Sequence, residues 1–137
     1  MAGKATSALL KIITVEDSSI IVARVRELLS YSSGVEFMGN ATTVSTAVAL
    51  IEERKPDVVI LDINLGSTEG SNGIDLLGIL RKTYPAMKII MLTNLTDNRY
   101  RVLCRDNGAD YFFDKSNDFD KIPDTLNRIM NEKKLTE

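Results

Sequence analysis

The sequence predicts an α/β protein built on an open, doubly wound parallel sheet of five strands. Short apolar runs recur five times and alternate with segments whose apolar residues fall at helical spacing. The run Val58-Val59-Ile60-Leu61 is continuously apolar and mostly β-branched, as suits a strand buried on both faces. Four of the five runs close on a reactive side chain: Glu16-Asp17, Asp62, Thr93 and Lys115. In a parallel sheet the ligand crevice lies outside the carboxyl ends of the strands, so these four closings belong at one edge.

Leu9 to Val15 reads as the first strand, ended by Glu16-Asp17. Ser18-Ser19 starts a helical pattern through Ile20, Ile21, Val25, Leu28 and Leu29, with Gly34 as its stop. Val35 to Gly39 reads as a short second strand, and Val44, Ala47, Val48 and Ile51 as a helix over 43–54. Pro56 ends that helix, because the residue before a proline is pushed out of the α region. The third strand covers 57–62, and 63–72 is a polar, glycine-bearing loop. Helical spacing resumes from Gly73 to Arg81, with Pro85 marking the next boundary. The fourth strand is 88–93; a mixed helix over 97–107 stops at Gly108. Ala109 to Lys115 is the fifth strand, and Phe119, Ile122, Leu126, Ile129 and Met130 share one face of a last helix over 119–134. Right-handed crossovers turn this alternation into a flavodoxin-like (βα)5 fold with strand order 2-1-3-4-5.

The 137 residues suit one domain, expected over 9–134 behind a flexible leader of residues 1–8, with no output domain. A net charge of −2 suggests no broad grip on nucleic acid or membrane. No apolar run approaches the ~18 residues of a membrane span. The single Cys104 excludes an intrachain disulfide and fits a reducing, cytoplasmic setting, as a buried or half-buried thiol. Arg99, Arg101 and Arg105, interspersed with Asp97 and Asp106, read as a solvated helix face. The absence of histidine excludes a His triad, His metal ligands and phosphohistidine carriage by this chain.

Three carboxylates gathered at one sheet edge repel one another and raise one another's pKa unless a cation intervenes. A hard divalent ion relieves that, and Mg²⁺, which takes few carboxylates together with water and phosphate oxygens, fits best. Asp62 then stays ionised and can act as a nucleophile, forming an aspartyl phosphate. Phosphoryl transfer asks mainly for positioning and charge compensation, for which Lys115 offers a cation and Thr93 a hydroxyl. Thr93 on its own is an ordinary β-branched strand residue; its partners make it a candidate.

These residues resemble the receiver domain of two-component response regulators, over essentially all of 9–131. The resemblance rests on Glu16-Asp17, on Leu61-Asp62-Ile63, on Thr93, and on Lys115 preceded by Asn107-Gly108-Ala109-Asp110. It implies that Asp62 is the phosphoacceptor and that Glu16, Asp17, Asp62 and the backbone carbonyl of Asn64 hold Mg²⁺. Phe112, three residues before Lys115, matches the family's switch aromatic, which moves inward as Thr93 turns toward the phosphoryl group. The implied phosphodonor is a sensor histidine kinase or a histidine phosphotransfer protein. Output is expected through a partner protein on the face made by the fourth helix, fifth strand and fifth helix. The implied catalysis is limited to the chain's own phosphorylation and dephosphorylation.

The chain departs from the family's pattern in three places. Gly66 stands where a proline is usual, the following loop is about three residues longer, and Lys115-Ser116 replaces Lys-Pro. A non-proline cis bond costs ~3 kcal/mol, so a trans peptide is expected after Lys115. These differences touch loop geometry and leave every catalytic side chain in place. Rival readings are a pseudo-receiver that is never phosphorylated, a receiver cut from a longer regulator, and a flavin binder on the same fold. The last wants a phosphate loop where this chain carries Glu16-Asp17, and no glycine-rich phosphate motif occurs elsewhere.

Overall fold

The computed structural model describes residues 9–65 and 72–136. The elements run β1 (Leu10–Val15), α1 (Ser19–Ser30), β2 (Val35–Ala41), α2 (Val44–Arg54), β3 (Val58–Leu61), α3 (Asn72–Thr83), β4 (Lys88–Thr93), α4 (Asn98–Asp106), β5 (Tyr111–Asp114) and α5 (Lys121–Thr136). All strands pair in parallel, in the order β2-β1-β3-β4-β5. The doubly wound fold expected from the alternation is the fold observed. The expected leader, residues 1–8, and positions 66–71 of the loop after Asp62, Gly66 among them, lie outside the described residues.

Alternation along the strands divides the core in two. Val59 and Leu61 of β3 join Ala47 and Ile51 of α2, Leu76 and Leu80 of α3 and Cys104 of α4 on one face. Val58 and Ile60 face the other way, against Val25 and Leu29 of α1 and Ile122 and Leu126 of α5. Both faces of the central strands are therefore dry, which is why their sequences are continuous apolar runs. Cys104 is wholly buried, and burial pushes its thiol up to about 11. No helix among the described residues is long and apolar enough to cross a membrane.

Helix ends follow local chemistry. The Ser18 hydroxyl accepts the Ile21 N–H and starts α1, while Thr43 and Thr46 cap each other reciprocally at α2. Asp97 accepts the Arg99 N–H at 2.9 Å and caps α4. The expected stop of the first helix at Gly34 is displaced: α1 ends at Ser30, with Tyr31 at its cap. Gly34 instead belongs to the turn into β2, where its carbonyl accepts the Leu10 N–H at 2.8 Å. The second strand runs two residues past its expected end, to Ala41, because a bulge carries it on beside β1. The fifth strand is shorter than expected: Ala109 and Asp110 precede it and Lys115 follows it.

The start of α3 is pressed against the residue at the heart of the site. The Gly73 N–H donates to the Ile63 carbonyl at 2.9 Å. A Cβ on Gly73 would lie 2.0 Å from the Asp62 carbonyl oxygen and 2.6 Å from Ile63 Cα, both backbone atoms. On helix propensity alone, alanine is better than glycine by ~1 kcal/mol. Here the overlap reverses the sign, and Gly73→Ala is expected to destabilise the fold by about 2 kcal/mol, read from urea unfolding. A gain in stability would contradict this close approach.

Candidate functional site

Each functional side chain leaves the carboxyl end of a strand. The Asp62 N–H continues the ladder of β3 by donating to the Val15 carbonyl at 3.1 Å, and the Lys115 N–H does the same to Thr93 at 3.0 Å. The Glu16 N–H donates to the Ala41 carbonyl at 2.9 Å. Backbone register thus fixes where these side chains begin, and the parallel sheet brings β1, β3, β4 and β5 to one edge.

Lys115 organises that edge. Its Nζ donates to Asp62 Oδ2 at 2.7 Å and lies 2.8 Å from Glu16 Oε1. All three are buried, at 8%, 5% and 5% exposure, so this is an ion triad out of reach of bulk screening. Glu16 Oε2 also accepts the Ser18 N–H at 2.9 Å. Burial alone would lower the Lys115 pKa, but the hydrogen bonds from Lys115 to Asp62 and Glu16 outweigh it and hold the ammonium above its ordinary value. Glu16 moves up from its ordinary 4.5, because desolvation outweighs the help it receives from Lys115 and the Ser18 N–H.

One oxygen of Asp62 is left over. Oδ1 is buried and has no hydrogen-bond partner among the described residues, although Oδ2 is engaged by Lys115. Glu16, Asp17 and Asp62 each bring a carboxylate oxygen to within 4.8 Å of the others, with Asp17 exposed and its neighbours buried. Three hard oxygen donors this close suit a divalent cation such as Mg²⁺. Asn64 lies exposed on the same loop, two residues beyond Asp62.

Thr93 is fully buried at the end of β4, and its Oγ1 accepts the Leu95 N–H at 3.2 Å, so its own proton remains to donate. The three adjacent aromatics of β5 are sorted by register. Tyr111 and Phe113 pack on the α1–α5 face with ring centroids 6.2 Å apart. Phe112 packs on the opposite face, where the Arg101 guanidinium of α4 sits 4.6 Å above its ring. Arg99, Arg101 and Arg105 are exposed, as the charge pattern suggests, with Arg99 beside Asp97 and Arg105 beside Asp106. Among the described residues no peptide bond is cis. Sequence reasoning passed over Asn40 and Thr14, which bond to each other at 2.7 Å beneath the acidic pair. The available signal was a carboxamide inside a strand, where asparagine is normally depleted.

The raised Glu16 pKa has a consequence for stability. A carboxyl group that holds its proton more tightly folded than unfolded makes the protein less stable as pH rises through the carboxylate range. Glu16→Gln removes that dependence and keeps an acceptor for Lys115. It is expected to flatten the fall in stability between about pH 4.5 and pH 7.5, read from urea unfolding at the two pH values. The same slope in wild type and Glu16→Gln would contradict the raised Glu16 pKa.

Residues 12–127 match the family described as the response regulator receiver domain. The chain is 33% identical over 110 residues to the DNA-binding transcriptional activator EvgA of Escherichia coli strain K12, an alignment covering 80% of this chain and 52% of EvgA. It is 26% identical over 121 residues to the response regulator protein VraR of Staphylococcus aureus, covering 87% of this chain and 56% of VraR. The chain thus spans about half the length of the curated relatives it matches. Among solved structures, a CheY-like receiver domain protein of Methanospirillum hungatei JF-1 aligns with a TM-score of 0.81 at 25% identity, over 94% of this chain and 99% of that one. By sequence, topology and the residues at its sheet edge, this chain belongs to the receiver-domain family of two-component response regulators.

Proposed function

We propose that this receiver accepts a phosphoryl group on Asp62 from a phosphohistidine of a sensor histidine kinase or histidine phosphotransfer protein. The observation that carries the reading is the asymmetry of the Asp62 carboxylate, with Oδ2 held by Lys115 and Oδ1 buried without a partner. The unpartnered oxygen has its lone pairs available to attack phosphorus. An O–P bond forms as the P–N bond to the donor imidazole breaks, and the bonding pair leaves with nitrogen. Lys115, already within reach of Asp62, neutralises charge on a phosphoryl oxygen, and the Thr93 hydroxyl donates to another. Hydrolysis later returns the carboxylate and inorganic phosphate.

Glu16, Asp17 and Asp62, with the backbone carbonyl of Asn64, are the groups that hold Mg²⁺ in this reading. When bound, the ion supplies Lewis-acid compensation for phosphoryl charge. Phe112 then serves as the switch aromatic with Thr93, shifting the population of the α4–β5–α5 face toward the form a downstream effector recognises. The buried thiol and the lack of a membrane-spanning helix among the described residues suit action in the cytoplasm.

Output has two readings. In the first, this domain signals through a separate protein partner. In the second, favoured by the 52% coverage of EvgA, it is the receiver of a longer regulator that itself engages DNA. Either way the chemistry at Asp62 is the same.

Intact-protein mass after incubation with acetyl phosphate tests the reading. A Mg²⁺-dependent gain of one phosphoryl group is expected in the wild type and not in Asp62→Asn. A gain that persists in Asp62→Asn, or no gain from either a small donor or a histidine kinase, would overturn it.

A further inference from the structure

Asn40 lies in β2, outside the acidic edge, yet both ends of its carboxamide are committed to β1 and the residue that follows that strand. Thr14 Oγ1 donates to Asn40 Oδ1 at 2.7 Å, and Asn40 Nδ2 donates to the Glu16 carbonyl at 3.0 Å. Thr14 is only 1% exposed and Asn40 is half-buried, so this network sits within the sheet. Glu16 is thereby anchored on both sides: its N–H by the Ala41 carbonyl and its C=O by the Asn40 side chain. The Glu16 carbonyl belongs to the peptide that leads into Asp17, so fixing that plane fixes the direction in which Asp17 departs.

A defect in the sheet makes this contact possible. Ile12 pairs with Phe37, but Ile13 pairs with Gly39 and Thr14 with Asn40, so Met38 is skipped. Uninterrupted pairing would set Gly39 opposite Thr14 and turn Asn40 to the other face, since a one-residue slip reverses every side chain. Gly39 adopts φ +139°, a conformation that side-chain-bearing residues rarely take. A Cβ there would lie 3.5 Å from Leu50, so space is adequate and backbone conformation is what calls for glycine.

We propose that Asn40, aimed by the Met38-Gly39 bulge, is a positioning residue that sets the divalent-cation affinity of the Glu16–Asp17–Asp62 edge. The proposal rests on the reading of that edge as a cation site. Asn40 touches neither phosphorus nor the ion; it orders the main chain that presents two of the three carboxylates. Groups that orient metal ligands in this way change affinity by ~10–100-fold when removed.

The test titrates unphosphorylated protein with Mn²⁺, counting free ion by electron paramagnetic resonance, and repeats the titration with Mg²⁺ by calorimetry. Asn40→Leu, close in size and without polar atoms, is expected to weaken binding by about 10-fold. Thr14→Val, which removes only the hydroxyl that orients the carboxamide, shifts affinity the same way by less. The Mg²⁺ concentration for half-maximal phosphorylation by acetyl phosphate rises in step, while the rate at saturating Mg²⁺ is retained. Ile129→Val, a buried change on α5 remote from the edge, lowers thermal stability and leaves affinity unchanged. Wild-type affinity in both Asn40→Leu and Thr14→Val overturns the role of Asn40 alone. A wild type that binds neither ion overturns the cation site and this proposal with it.

Discussion

The ammonium of Lys115 is the interaction on which this site depends. Two carboxylates lie buried at the edge of a largely apolar sheet, and Lys115 contacts both within 2.8 Å. Taking a carboxylate from water costs several kcal/mol, and a cation at hydrogen-bonding distance is what makes two of them tolerable. The same contact divides the two oxygens of Asp62 into one that is occupied and one that is free. Glu16 still holds its proton more tightly than a solvated carboxyl does, because desolvation outweighs the hydrogen bonds it receives.

The fold supplies that arrangement with little help from loops. Lys115 and Asp62 extend the backbone ladders of β5 and β3 by one residue, so the triad is positioned by the sheet itself. Gly73 lets α3 close directly over the Asp62 carbonyl, and Asn40 ties the Glu16 carbonyl to β2. Asp62 and Glu16 are therefore held through main-chain atoms as well as through their carboxylates. Such support is what holds a reactive group in place, since a side chain anchored only at its tip would drift.

Much of this was legible in the sequence because strands buried on both faces leave an unambiguous trace. Val58-Val59-Ile60-Leu61 declares a central parallel strand, and the polar residue ending it falls where such sheets place their chemistry. Glu16, Asp17, Asp62 and Lys115 could be named because strand ends align in space once the topology is known. Pairing was harder to read: nothing in the order of residues says that Lys115 reaches across to Glu16 on β1. The end of α1 was misplaced because Tyr31 to Ser33 carry no strong stop, so the next glycine looked decisive. Asn40 escaped notice because a bulge shifts alternation by one residue, and periodicity assumes that no residue is skipped. Among Tyr111, Phe112 and Phe113 only the register of β5 shows which ring faces α4.

The central claim is that Asp62 presents one oxygen for phosphorylation while Lys115 holds the other. A crystal structure of the protein with Mg²⁺ and beryllofluoride, a phosphoryl mimic, tests it most directly. The account predicts a single beryllofluoride on the Asp62 oxygen turned away from Lys115, with the Lys115 ammonium contacting fluorine. An adduct on Glu16 or Asp17, or an unmodified Asp62 under saturating conditions, would contradict it.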